Sequence, residues 1–119
     1  MSSMVVHCTR GREDPERATQ AFIVGNVAAS ADQDVVMVLT IEGVWLATPG
    51  YADEIHKEGF PALSEVIQSF LSNGGQIWVC GTCAKPRGIT DENLIAGAKI
   101  VTAANVVERL VASSASMDF

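Results

Sequence analysis

The run Val35-Val36-Met37-Val38-Leu39 constrains this chain more than any other segment. It is apolar at every position and rich in β-branched residues, so it lacks the alternation of a strand with one wet face. A run of this kind is a strand buried on both sides, as in the middle of a parallel sheet. Parallel neighbours need crossover segments, and the rest of the chain supplies them. Met4 to Cys8 reads as a first strand. Asp14 followed by Pro15 is a helix start, a capping carboxylate and then proline at the first helical position. That helix is expected to run to about Ala29, with Ala18, Ala21, Phe22, Gly25 and Ala28 along one face. Pro61 opens a second helix with Leu63, Val66, Ile67, Phe70 and Leu71 at helical spacing, and Asn73-Gly74-Gly75 stops it. Gln76 to Val79 is a strand. Thr90 caps a short helix through Ala96, with Gly97 as its stop. Ala98 to Val101 is another strand, and Thr102 caps a last helix with Ala103, Val106, Val107, Leu110 and Val111 on one face. Met117-Asp118-Phe119 is expected as a short edge strand. The expected fold is therefore α/β: a single-domain three-layer sandwich, residues 1–119, with a central, mostly parallel sheet of about five strands and helices on both faces.

Composition agrees and excludes several functions. A chain of 119 residues, 48% hydrophobic and 18% charged, builds a core without disulfide staples. The net charge of −6 repels phosphate backbones, and no basic stripe offsets it, so no nucleic-acid partner is expected. No apolar run approaches the ~20 residues of a membrane span. The start Met1-Ser2-Ser3-Met4 has no secretory pattern, which points to the cytoplasm. Thiols are reduced there, and 3 cysteines do not make a disulfide framework.

In open parallel sheets the site lies beyond the carboxyl ends of the strands. The segments Thr9 to Glu13, Thr40 to Phe60 and Cys80 to Ile89 should gather there. The last carries Cys80-Gly81-Thr82-Cys83 directly after the strand, then Lys85 and Arg87. The thiolate is the reactive form of cysteine, and nearby cations or amides favour it. Cys80 and Cys83 are thus the candidate catalytic residues. Gly81 and Thr82 would support them through their amides, Lys85 and Arg87 through their charge. A thioredoxin-like reading fits poorly. There the first cysteine opens a long helix, whereas here Pro86 follows closely and pushes Lys85 towards extended backbone. Pro86 is also the only proline after Pro61, so no downstream proline stands beside the cysteines. Zinc needs about four ligands, and Cys8, His7 and His56 add too few, since His7 and Cys8 point to opposite faces of one strand. His56 reads as a solvated loop residue. Arg10 and Arg12 with Glu13, Asp14 and Glu16 read as a surface ion-pair cluster. No phosphate loop, dinucleotide fingerprint or Ser-His-Asp arrangement is evident, so no metal or cofactor is expected. Trp45 and Tyr51 lie in the long middle loop, where core packing and a contact surface are both open readings.

Three segments in order resemble the DsrE/DsrF/TusD-like family of small sulfur-relay proteins. They are Asp14-Pro15 with Ala18-Thr19-Gln20-Ala21-Phe22, Glu42-Gly43-Val44 with Leu46-Ala47, and the strand ending in Cys80 followed by Arg87-Gly88-Ile89. The resemblance implies a parallel α/β fold and homo-oligomers, trimers or hexamers. It implies that Cys80 carries sulfane sulfur as a persulfide between donor and acceptor proteins, in the manner of a sulfurtransferase without necessarily being a turnover enzyme. Cys83 departs from the family's simplest pattern. An oligomeric binding module with structural or redox-sensitive cysteines, and a Cys-x-x-Cys dithiol oxidoreductase, are the alternatives.

Overall fold

Five strands form one sheet in the order β4-β3-β2-β1-β5 in the computed structural model, which describes residues 2–119. Met1, part of the chain start read above, lies outside the described residues. The elements are β1 (Ser3–Cys8), α1 (Pro15–Ser30), β2 (Asp34–Leu39), α2 (Leu63–Ser72), β3 (Gln76–Cys80), α3 (Gly81–Ala84), β4 (Ala98–Val101), α4 (Ala103–Ala112) and β5 (Ala115–Asp118). Every pairing is parallel. β2 is the middle strand, and Val35 to Leu39 are all buried, as a run with no polar position requires.

Strand alternation divides the core. Val6, Cys8, Val35, Met37, Leu39, Ile77 and Val79 face α1 and α2. Val5, Val36 and Val38 face the other way, where Trp78 and Val106 of α4 cover them in part. α1 starts where proline fits without losing a bond, and the Asp14 carboxylate accepts from the Arg17 amide at 3.1 Å. The helices meet at Phe22 and Phe70, edge to face with centroids 5.7 Å apart. The layers are therefore α1 and α2, the sheet, and α4 alone. The single helix leaves its own apolar face uncovered: Val107, Leu110 and Val111 are 58%, 42% and 83% exposed.

Several local expectations change. The long segment after β2 is not irregular. It forms tight 3-10 turns over Ile41–Ala47 and Ala52–Glu54, burying Val44, Leu46, Ala47 and Ala52. α2 begins at Leu63 rather than Pro61, because the Leu63 amide bonds the Ile55 carbonyl at 3.2 Å and Ala62 stays extended. The helix expected from Thr90 through Ala96 is a single 3-10 turn, Asp91–Asn93. Thr90 and Asn93 do cap each other, but Leu94 turns extended and the Ile95 amide bonds Ala47 at 2.8 Å, so the chain is drawn onto the core instead. Lys85, expected extended before Pro86, is helical at φ −55°, ψ −53°: proline sits at the start of a second short turn, Lys85–Arg87, where its missing N–H costs nothing. The edge strand begins at Ala115 and ends at Asp118, with Phe119 donating its amide to His7 at 2.7 Å.

Candidate functional site

β3 runs on through Cys80 and the chain turns at once into α3, so Cys80 is the cap residue of that short helix. Its Sγ lies 3.0 Å from the Thr82 hydroxyl. Burial alone would raise its pKa. The Thr82 hydroxyl, the Cys83 and Thr82 amides and the Cys83 thiol more than offset that, and the net direction is below the ordinary thiol value. The sulfur is thus held by donors that favour its anion, at the sheet end where this architecture places chemistry. Gly81 permits the sharp turn, since a Cβ there would stand 3.2 Å from the Val101 carbonyl. Cys83 is half-buried, and all 3 cysteines are free thiols. Cys8 contrasts with Cys80. It is fully buried at the end of β1, and burial pushes its thiol up to about 11.

The two cations of the loop serve differently. Lys85 is exposed on the far side of α3, beside Gly81, Gly88 and Ile89. Arg87 donates through Nη1 to the Cys83 carbonyl at 3.0 Å and through Nη2 to the Glu42 carboxylate at 3.1 Å. It therefore ties the end of α3 to the turn after β2. Glu42 was not legible as its partner, because the two are 45 residues apart in sequence. Between Thr40 and Glu42, Ile41 has a left-handed backbone (φ 56°) and is exposed. A β-branched residue there carries roughly 1–2 kcal/mol of strain.

His7 joins a third group. Its Nδ1 is 2.9 Å from an Asp118 carboxylate oxygen and its Nε2 is 2.7 Å from the Thr40 hydroxyl. β1, β5 and the residue just past the end of β2 supply these groups, which lie at sequence separations of 111 and 33. They line a cleft of about 210 Å³ with Val5, Val38, Val106 and Leu110 under α4. The sequence reading excluded a Ser-His-Asp arrangement; a Thr-His-Asp one appears only when β5 pairs with β1 and sets Asp118 opposite His7.

The remaining candidates fall outside this region. His56 is exposed and bonds the Phe60 carbonyl at 2.8 Å. Arg10 pairs with Glu13 as expected, but Arg12 pairs with Glu54 and Asp14 with Arg17, so the expected cluster is split among other partners. Tyr51 stacks on Trp45, lies under the Arg12 guanidinium and accepts the Arg12 amide at 2.8 Å, so these aromatics brace the middle loop against the loop after β1. Among the described residues no three His, Cys, Asp or Glu side chains converge as a metal site, and no helix is long and apolar enough to cross a membrane.

The fold matches solved structures over its whole length. The YchN protein of E. coli superposes with a TM-score of 0.84 at 17% identity, each chain covered in full. MTH1491 of Methanobacterium thermoautotrophicum, a protein of unknown function, gives 0.71 at 17% identity, again over all of both chains. By sequence, an uncharacterized protein of Methanocaldococcus jannaschii, MJ0760, is 33% identical over 95 residues, which is 80% of this chain and 34% of that protein. This chain therefore spans about a third of that relative's length. The uncharacterized MK0008 of Methanopyrus kandleri is 29% identical over 77% of this chain and 73% of its own. With the family model matching residues 2–119, the chain belongs to the DsrE/DsrF-like family.

Proposed function

We propose that this protein is a cytoplasmic sulfur carrier that holds sulfane sulfur as a persulfide on Cys80 and passes it between partner proteins. The observation that carries this reading is the state of Cys80: a sulfur at a strand end whose thiolate is favoured by the Thr82 hydroxyl and two amides. A thiolate attacks the outer sulfur of a donor, and a sulfur that is also a good leaving group releases it again. Family membership supports the same chemistry. Cys83 contributes its own thiol to the hydrogen bonding at Cys80, which supports a role in receiving or resolving the persulfide over no role at all.

Assembly into trimers or hexamers belongs to the same reading. What supports it is the uncovered apolar face of α4.

Intact mass spectrometry after exposure to a persulfide donor tests the carrier role. Wild type should gain about 32 Da, reversed by reductant, and the Cys80→Ser variant should gain nothing. Unchanged loading in that variant would remove Cys80 from the mechanism. A loss of about 2 Da that needs both cysteines would favour the dithiol oxidoreductase. No change in any form would favour a binding module with structural cysteines.

A further inference from the structure

Arg87 holds two acceptors at once, and one of them belongs to a residue that touches the reactive sulfur. Its Nη1 donates to the Cys83 carbonyl at 3.0 Å and its Nη2 to the Glu42 carboxylate at 3.1 Å. Cys83 in turn gives its amide and its thiol to Cys80, beside the Thr82 hydroxyl at 3.0 Å from the sulfur. An unbroken set of contacts therefore runs from Glu42 through Arg87 and Cys83 to Cys80.

The segment that carries Thr82 and Cys83 needs such support. Gly81–Ala84 is only 4 residues, too short for a helix to hold itself. The last carbonyls of a helix also lack partners within it. Gly88 turns left-handed at φ 72° and the Ile89 amide reaches back to Ala84 at 3.1 Å, which closes the far end. The Cys83 carbonyl takes its donor from the Arg87 side chain, and Glu42 holds that side chain from the other side. Glu42 follows Ile41, whose left-handed backbone turns the chain directly after β2. Strain at a β-branched residue persists where surrounding contacts over-determine it.

Charge is a poor account of this pair. Glu42 is an anion, so its field opposes a thiolate and offsets that of Arg87. What the pair does supply is geometry, a planar fork fixed between two acceptors.

We infer that Arg87 and Glu42 are positioning residues for Cys80: together they clamp Cys83 so that the Thr82 and Cys83 amides stay aimed at the sulfur. The inference rests on the carrier reading and deepens it, since it says what keeps the carrier thiol reactive. With the clamp released the amides lose their aim, and the burial of Cys80 acts against its anion unopposed. Four elements pack against α3. The turn Ile41–Ala47 brings Glu42 as its one charged residue, and the turn Lys85–Arg87 brings Lys85 and Arg87. β4 brings Lys99, which sits over the Trp78 ring at 5.2 Å. β3 has no ionisable group but Cys80, and α3 itself has Cys83.

The test is the rate of iodoacetamide alkylation at Cys80 against pH, read by mass spectrometry in a Cys83→Ser parent, which keeps the amide and carbonyl of that residue. Glu42→Ala removes an anion, so a role through charge predicts faster alkylation near neutral pH. The clamp predicts the reverse: alkylation about tenfold slower, with the thiol inflection moved up by about one pH unit. Glu42→Gln keeps an oxygen for Arg87 and should stay near the parent. Arg87→Lys keeps the cation but loses the fork, and should slow alkylation as Glu42→Ala does. Glu42→Ala at or above the parent rate, or Arg87→Lys with the parent's profile, would overturn the clamp. Opening of the fold would speed labelling of Cys80 and expose the buried Cys8, so slow Cys80 with unlabelled Cys8 is not an effect of unfolding. Labelling at Cys8 in Glu42→Ala passes the decision to Arg87→Lys. Persulfide loading is read separately, with Cys83 present. Loading with unchanged alkylation profiles keeps the carrier and removes the clamp; the slowed profiles without loading of wild type keep the clamp and remove the carrier.

Discussion

Cys8 and Cys80 end neighbouring parts of the same sheet, yet their thiols are pushed in opposite directions. Cys8 faces the α1 layer with no exposed surface, and that burial disfavours its anion by more than the backbone hydrogen bond at Arg10 favours it. Cys80 faces the other layer at the point where amides begin α3. The difference has a consequence for stability. Burial raises the folded-state value of Cys8 from 9.0 to about 11, so its contribution is fully present below pH 9 and is lost as pH rises to 11. The amount is roughly 2–3 kcal/mol. Urea unfolding of wild type should therefore show a fall in stability over that alkaline window that Cys8→Ala lacks. Equal slopes in the two proteins would show that Cys8 is not the group responsible. At this scale the candidate nucleophile was legible, because two cysteines after an apolar run need no tertiary information. The partners of Arg87 and His7 were not, since each lies on a distant segment.

Among the elements, the 3-10 turn Ile41–Ala47 does the most to shape the site. It starts with the strained Ile41, passes Glu42 to Arg87, and buries Val44 and Leu46. Gly43 makes it fit. Its amide bonds the Thr9 and Thr40 carbonyls at 3.2 and 2.9 Å, and a Cβ there would overlap the Cys8 carbonyl oxygen. That neighbour is backbone and has little room to give. Gly43→Ala should cost about 1–3 kcal/mol, the usual range for overpacking, seen as a lowered melting temperature. An unchanged melting temperature would mean that the turn moves freely against β1. The helices α1, α2 and α4 were legible from caps and apolar spacing. The turns between β2 and α2 were not, because their apolar residues follow neither a helical nor a strand period.

For the molecule as a whole, the asymmetry of the layers is the main feature. Two long helices cover one face of the sheet and α4 covers part of the other, where Trp78 is half-buried beneath Lys99. An apolar helix face of this kind is the surface a second copy would cover. Light scattering at micromolar concentration should give a trimer or a multiple of it, and Val111→Asp should shift that population to monomer. Val111 is 83% exposed, so the charge costs the isolated fold little. A monomeric wild type would remove the assembly from the reading. The apolar stripe on α4 could be read in the sequence; that none of the described residues covers it could not, because periodicity shows which residues want burial and not what is near them.

Local chemistry alone determined the fold class, the strand that sits in the middle, the starts of α1 and α4 and the cysteine at the strand end. Each follows from neighbours in the chain: an apolar run has no wet face, proline fits a first helical turn, and a strand end in a parallel sheet is where side chains are free to react. Tertiary structure decided what surrounds them. The order of the strands sets Asp118 beside His7 and Thr40 level with Cys80, the turn after β2 delivers Glu42 to Arg87, and the choice of face separates the thiol whose anion is favoured from the one whose anion is disfavoured. Those pairings depend on register between segments far apart in sequence, and register is fixed by packing of the whole core.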